Sequence, residues 1–177
     1  ELARMLNALG ARVVAANRSA SAFDGHVDAS FSLAEIPEML MQCSFAVVAS
    51  ALTPQTKGLI GTAALDALGP DGVLRNVARG PVVDEAALYH ALVDGRLGGA
   101  VIDVWYQYPD RKDDENLAPS RFDFAALPNV VMSPHVSGWT EGTVSRRIAI
   151  IAENLRRAAD GDPLINVVAT GTRASCI

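Results

Sequence analysis

Asn76-Val77-Ala78-Arg79-Gly80-Pro81-Val82-Val83-Asp84 is the stretch on which the fold turns. It closes an apolar, strand-like run that begins at Val73 and Leu74, and Gly80-Pro81 turns the chain directly after Arg79. A helix-like segment opens at Asp84. Strand, tight turn and helix in that order are the unit of an open α/β sheet, where ligands bind at the carboxyl ends of the strands. An arginine at such an end is either a solvated surface charge or a fork aimed at a carboxylate or phosphate.

Outward from this stretch the same alternation repeats. Leu2, Met5, Leu6 and Leu9 have helical spacing and Gly10 is a helix stop, yet no N-cap precedes Glu1, so the reading begins inside a helix. Arg12–Ala16 reads as a short buried strand ending at Asn17-Arg18-Ser19. Leu33–Cys43 is expected to be helical, Phe45–Ser50 a strand, and Leu52–Thr56 a loop. A helix over Thr62–Leu68, a strand over Gly72–Ala78 and a helix over Asp84–Asp94 follow. Ala100–Val104 and Val130–Ser133 read as strands on either side of a long polar loop, Tyr106–Pro128. Such loops are uncommon inside compact domains and often functional. The spacing predicts a long amphipathic helix over Gly142–Asp160, with Val144, Ile148, Ile151, Ala152 and Leu155 on one side packing into a core. Residues 169–177 read as a disordered tail.

The chain of 177 residues is half hydrophobic and only 6% aromatic, which suits a small-residue α/β core. A net charge of −5 and the lack of a basic run argue against nucleic acid. No membrane-length apolar run and no signal-peptide pattern occurs, so a soluble, cytoplasmic, reducing setting is expected. Cys43 and Cys176 have no metal-ligand spacing and imply neither a metal nor a disulfide.

Four segments in order carry a family resemblance: 51–61 (ALTPQTKGLIG), 76–88 (NVARGPVVDEAAL), 95–105 (GRLGGAVIDVW) and 133–138 (SPHVSG). Together they resemble the nucleotide-binding domain of the D-isomer-specific 2-hydroxyacid dehydrogenases, over about residues 2–168. The resemblance implies an α/β, Rossmann-type doubly wound parallel sheet of order 3-2-1-4-5-6. In that family the helix matching residues 2–9 follows a first strand and a G-x-G-x-x-G turn, which the sequence here does not contain. The sheet is therefore expected to be incomplete at its N-terminal side, with open strand edges, and the chain to be a fragment. The implied organisation is a partial nucleotide-binding domain over 1–141 and a helix returning toward a substrate domain over 142–168, then the tail.

What the resemblance implies for chemistry falls on named residues. Arg79 matches the catalytic arginine, which binds a 2-oxo acid through its carboxylate and polarises the carbonyl. His135 matches the catalytic histidine, which supplies and recovers the proton; His26 and His90 fall outside every matching segment. The family's glutamate, which favours the protonated histidine, is replaced by Tyr108 in D-V-W-Y-Q-Y-P. D-V-W is similar to the formate dehydrogenase branch, which also lacks that carboxylate. Tyr108 is either a hydrogen-bond partner that orients His135 or a loop tyrosine packed on the rim. Asp103 matches the aspartate at the nicotinamide carboxamide, and Leu52, Thr53, Pro54, Val77, Ala78 and Gly138 match loops that wall the cofactor. Asn17, Arg18 and Ser19 stand where NAD-specific members place an acidic residue; the charge change suits a 2′-phosphate, so NADP is expected ahead of NAD. Trp105, Tyr106 and Tyr108 read as an aromatic cluster at a substrate mouth or subunit contact, and 110–115 as a solvated charged loop.

The expected function is NAD(P)-dependent transfer of hydride to or from a small D-2-hydroxy acid of the glyoxylate or hydroxypyruvate kind. The alternatives are formate-dehydrogenase-like hydride transfer, a non-catalytic NAD(P)-binding or interaction module, and an inactive fragment. A homodimer is the implied assembly.

Overall fold

A computed structural model of the chain describes residues 1–18, 25–109 and 117–168. Ser19, the charged stretch 110–115, Cys176 and the expected tail lie outside the described residues. After Val136 the chain divides into two compact units.

The first unit opens with α1 (Leu2–Ala8), β1 (Val14–Asn17), β2 (Ala29–Ser32) and α2 (Ile36–Leu40). It continues with β3 (Phe45–Val48), α3 (Thr62–Leu68), β4 (Val73–Asn76), α4 (Glu85–Val93), β5 (Gly99–Ile102) and β6 (Val130–Met132). Every strand pair is parallel: β1 with β2 in one sheet, and β3-β4-β5-β6 in that order in the other. This is the α/β, Rossmann-type architecture that the alternation implies. β2 is an element the sequence reading lacks. Its residues, Ala-Ser-Phe-Ser, alternate apolar and polar over only four positions, and pairing with β1 completes the strand.

The core lies on one face of the four-stranded sheet. Leu74, Ala100 and Ile102 point into it from the strands, and Leu65, Leu68, Leu88 and Leu92 close over them from α3 and α4. Asp84 caps α4 by accepting from the Ala87 N–H at 2.8 Å. The other face is open at β3, where Phe45 is 74% and Val47 40% exposed, and at Val131 of β6. Parallel sheets are ordinarily covered on both faces.

Between β1 and β3, which do not pair, runs a cavity of about 730 Å³ lined by Val14, Ala16, Phe45, Val47, Leu40 and Cys43 among others. With a rise of about 3.3 Å, a strand spacing of about 4.8 Å and a layer thickness of about 10 Å, one strand residue fills roughly 160 Å³. The slot therefore has the room of about four strand residues.

The second unit holds α5 (Glu141–Asp160), started by a Thr140–Thr143 capping box and stopped at Gly161, whose φ of 76° is left-handed. The Asn154 side chain ties the helix to Ile165, donating to its carbonyl at 3.1 Å and accepting from its N–H at 2.9 Å. No residue of α5 is buried, and Val144, Ile148, Ile151 and Leu155 are all at least half exposed. The stripe expected to pack into a core is thus a solvent-facing apolar face.

Two outcomes follow from the slot. The facing edges of β1 and β3 carry apolar side chains without the charges that blunt edge pairing. Val47→Lys is expected to lower the self-associated fraction of the chain in light scattering at tens of micromolar. Burial pushes the Cys43 thiol above its ordinary value of 9.0, with the Arg12 guanidinium opposing. The thiolate is therefore the disfavoured form near neutrality. In a Cys176→Ser background, alkylation of Cys43 should run slower than that of free cysteine at pH 7.5 and rise only in alkaline solution.

Candidate functional site

The register of the four-stranded sheet sets Val48, Asn76, Ile102 and Met132 side by side. The residues that follow each of them therefore emerge along one carboxyl edge. They are the loop after β3 with Leu52, Thr53 and Pro54, then Val77–Arg79, Asp103, and Ser133–His135. The candidates on these segments lie along one edge; Asn17, Arg18, Tyr108 and Gly138 lie elsewhere.

The loop after β3 is closed by Thr56, a buried side chain. Its hydroxyl donates to the Ala51 carbonyl at 2.6 Å and accepts from the Thr53 N–H at 2.8 Å. The loop is pinned to the next one by Gly58 N–H to Pro81 O at 2.8 Å and Ile60 N–H to Val82 O at 3.1 Å. Leu52 and Pro54 are exposed and Thr53 half-buried on the rim.

Arg79 is exposed at the start of a short 3₁₀ turn, Gly80–Val82, and one of its guanidinium N–H groups donates to the Ala78 carbonyl at 2.6 Å. Its backbone is held from below by Asn76, whose exposure is 1%. The Asn76 amide donates to the Arg79 carbonyl at 3.1 Å and accepts from the Ala78 N–H at 3.1 Å. Gly80 is required by approach rather than by φ: a Cβ there would collide with the Trp105 carbonyl. That contact brings the arginine loop against the segment after β5.

Asp103 is 2% exposed, and its Oδ1 accepts from the Ser133 hydroxyl at 2.6 Å and from the Val136 N–H at 3.0 Å. The Trp105 indole N–H donates to the Ser133 carbonyl at 3.0 Å. Between these fixed points His135 sits exposed with φ 59°, a left-handed conformation that histidine adopts more readily than most residues. The Tyr108 and His135 ring centroids are 5.6 Å apart at 52°. The Tyr108 hydroxyl accepts from the Trp105 N–H at 2.9 Å, so the phenol packs its ring on the histidine while its oxygen serves the backbone.

The three aromatic residues expected as one cluster separate. Trp105 is core, edge-on to Phe124 at 6.1 Å, and Tyr106 packs against the same core. Burial, with Glu85 and Asp84 nearby, pushes the Tyr106 phenol well above its usual range. Only Tyr108 faces the site. Sequence reasoning gave no role to the Asn76 and Ser133 side chains, and it placed Trp105 at a substrate mouth or subunit contact where the structure makes it a core residue whose indole holds Ser133. The available signal was Asn76 itself, a polar side chain two residues after Leu74 and so on the same, buried side of its strand.

Asn17 ends β1 and Arg18 follows it, half-buried and exposed respectively, and both line the large cavity together with Thr53. The Ser50 hydroxyl, also lining it, is buried and has no hydrogen-bond partner among the described residues. Most of the cavity lining is apolar; Arg18, Asn17, Thr53 and the orphaned Ser50 hydroxyl are the groups on its border suited to a polar, anionic ligand such as a dinucleotide. Gly138 belongs to the second unit, where its carbonyl accepts from the Thr143 hydroxyl at 3.0 Å. Among the described residues no group of three His, Cys, Asp or Glu side chains gathers as metal ligands, and no helix is long and apolar enough to cross a membrane.

Comparison with known proteins points the same way. Residues 1–137 match the family described as "D-isomer specific 2-hydroxyacid dehydrogenase, NAD binding domain". A hydroxyphenylpyruvate reductase of Plectranthus scutellarioides is 40% identical over 133 residues, 75% of this chain and 40% of that protein. A glyoxylate/hydroxypyruvate reductase A of Arabidopsis thaliana is 36% identical over the same share of each. Among solved structures, the NADPH-dependent glyoxylate/hydroxypyruvate reductase of Sinorhizobium meliloti in complex with NADP and malonate superposes with a TM-score of 0.77. It is 28% identical, over 99% of this chain and 51% of that one. The chain spans 40% of the length of these two curated relatives.

The close approach at Gly80 yields a direct test. Gly80→Ala should destabilise the first unit by about 1–3 kcal/mol, the usual cost of overpacking, in denaturant unfolding.

Proposed function

The chain belongs to the D-isomer specific 2-hydroxyacid dehydrogenase family, as its NAD binding domain, and on that premise we propose that the protein interconverts a small 2-hydroxy acid and its 2-oxo acid with NADP or NAD. The observation that carries the reading is the pair Arg79 and His135. Both are exposed, and each rises from a carboxyl strand end on a loop fixed by a buried side chain, Asn76 or Asp103.

Asn17, Arg18, Ser50 and Thr53, which border the slot, would hold the dinucleotide, and Leu52, Pro54, Val77, Ala78 and Asp103 would wall it along the carboxyl edge. When bound, the dinucleotide supplies or accepts the hydride. The chain's own work is different. Arg79 binds the substrate carboxylate through paired N–H groups and stabilises charge growing on the adjacent carbonyl oxygen. His135 gives that oxygen its proton in reduction and takes it back in oxidation. Tyr108 packs on the imidazole and limits its rotation. Arg18, a cation beside an uncharged Asn17, favours a ligand with an additional phosphate, hence NADP ahead of NAD. Substrate class, cytoplasmic location and a homodimeric state are parts of this reading.

Formate oxidation is the second reading. It needs no proton relay, and Tyr108, which stands where the family's carboxylate would, has its hydroxyl engaged by the Trp105 amide.

Oxidation of NADPH and NADH with glyoxylate and hydroxypyruvate, and their formation with formate, separates the two readings. His135→Asn is expected to cut 2-oxo acid reduction by about 10²–10⁴-fold, the usual span of general acid–base catalysis. It should leave formate oxidation far less affected. Asn17→Asp should shift the preference toward NADH in a fluorescence titration. Turnover with none of these acids overturns the enzymatic reading.

A further inference from the structure

His135 and Arg79 are both held by residues that sequence patterns assign no such task. The strap Ser133–Val136 leaves β6 and doubles back within two residues, through Pro134 and the left-handed His135. One carboxylate oxygen, Asp103 Oδ1, closes its neck by accepting from Ser133 on one side and Val136 on the other. The short Ser133 contact at 2.6 Å is that of a hydroxyl on an anion. Ser133 is further held by its N–H on the Ile102 carbonyl at 2.9 Å and by its carbonyl on the Trp105 indole. One strand over, Asn76 closes the arginine loop in the same manner, with its amide bonded to Ala78 and Arg79. The two anchors are adjacent, because the Asp103 N–H donates to the Asn76 carbonyl at 3.1 Å.

We propose that Asn76 and Asp103 form one buried bridge of positioning residues. Asn76 fixes the backbone of Arg79, Asp103 fixes the strap that carries His135, and the β4–β5 pairing sets the two anchors side by side, each serving its own loop. The bridge rests on the reading that Arg79 and His135 act on substrate, but its geometry is measurable without turnover. Trp105 belongs to it as the donor to Ser133, and Tyr108 as the ring that meets His135 once the strap is set. Asp103 thereby acts through His135, beyond any contact it makes with cofactor.

NMR on the whole 177-residue chain tests the bridge. Asp103→Ala should move the His135 ring resonances, abolish the cross-peak between the Tyr108 and His135 rings, and speed exchange of the Val136 amide about tenfold or more. The Arg79 side-chain signal should stay in place. Asp103→Asn, which keeps an oxygen acceptor, should retain the ring cross-peak. Asn76→Ala should move the Arg79 signal and the Ala78 amide and spare His135. A folded Asp103→Ala chain with unchanged His135 signals and Val136 exchange overturns the proposal. If that variant does not fold, Ser133→Ala removes the Oγ contact alone, and unchanged His135 and Val136 signals there overturn it equally. Titration of the unsubstituted chain with oxamate reports separately on Arg79. No response to oxamate, with the strap shifts present, refutes the substrate role of Arg79 and leaves the bridge standing.

Discussion

A carboxylate taken out of water has to find donors, and the Asp103 carboxylate, 2% exposed, finds them in a segment about thirty residues further along the chain. Burying a charge without such partners costs several kcal/mol. The contact therefore constrains far more than its two bonds. It fixes where β6 ends, forces the chain to reverse at Pro134 and His135, and leaves the imidazole exposed at the tip of the reversal. Trp105 can then put its indole on Ser133 only while its own carbonyl passes against Gly80. That contact seats the arginine loop against the segment after β5.

How much of this was legible depended on whether the signal was local. Thr62–Leu68 carries its own helical pattern between glycines, and the helix falls where the pattern puts it. Asp84 announces α4 as a cap, and Arg79 and His135 stand out as polar residues after apolar runs. β2 is different: the alternation Ala-Ser-Phe-Ser is a strand signal only four residues long, and the ladder offered by β1 completes it. Asn76 is hidden for a related reason. Its importance lies in the Ala78 and Arg79 backbone groups it satisfies, and those need the turn after β4 to exist first. Tyr108 shows the limit most sharply. Its place in sequence makes it a neighbour of His135, but whether ring or hydroxyl does the meeting was decided by the Trp105 N–H that captured the oxygen.

The candidate residues divide between two kinds of environment. Those along β4, β5 and β6 are embedded in satisfied hydrogen bonds over a dense apolar layer. Those on the other side, Asn17, Arg18 and Thr53, border the slot between β1 and β3 with its unpartnered Ser50 hydroxyl. The chemical end of the site is thus preset by the fold of the first unit.

The strand order of the larger sheet has a kinetic meaning. In β3-β4-β5-β6 each strand lies beside the one made just before it, so spatial and sequence neighbours coincide throughout. Each addition closes only one crossover, and the loop-closure entropy stays nearly constant from step to step. A chain emerging from its N-terminal end can therefore build this sheet strand by strand, never waiting for a distant partner. The Asp103 clasp is the last long-range contact of that series, because Ser133 and Val136 follow everything else in the unit. The site's final geometry is then also the signal that the sheet beneath it is finished.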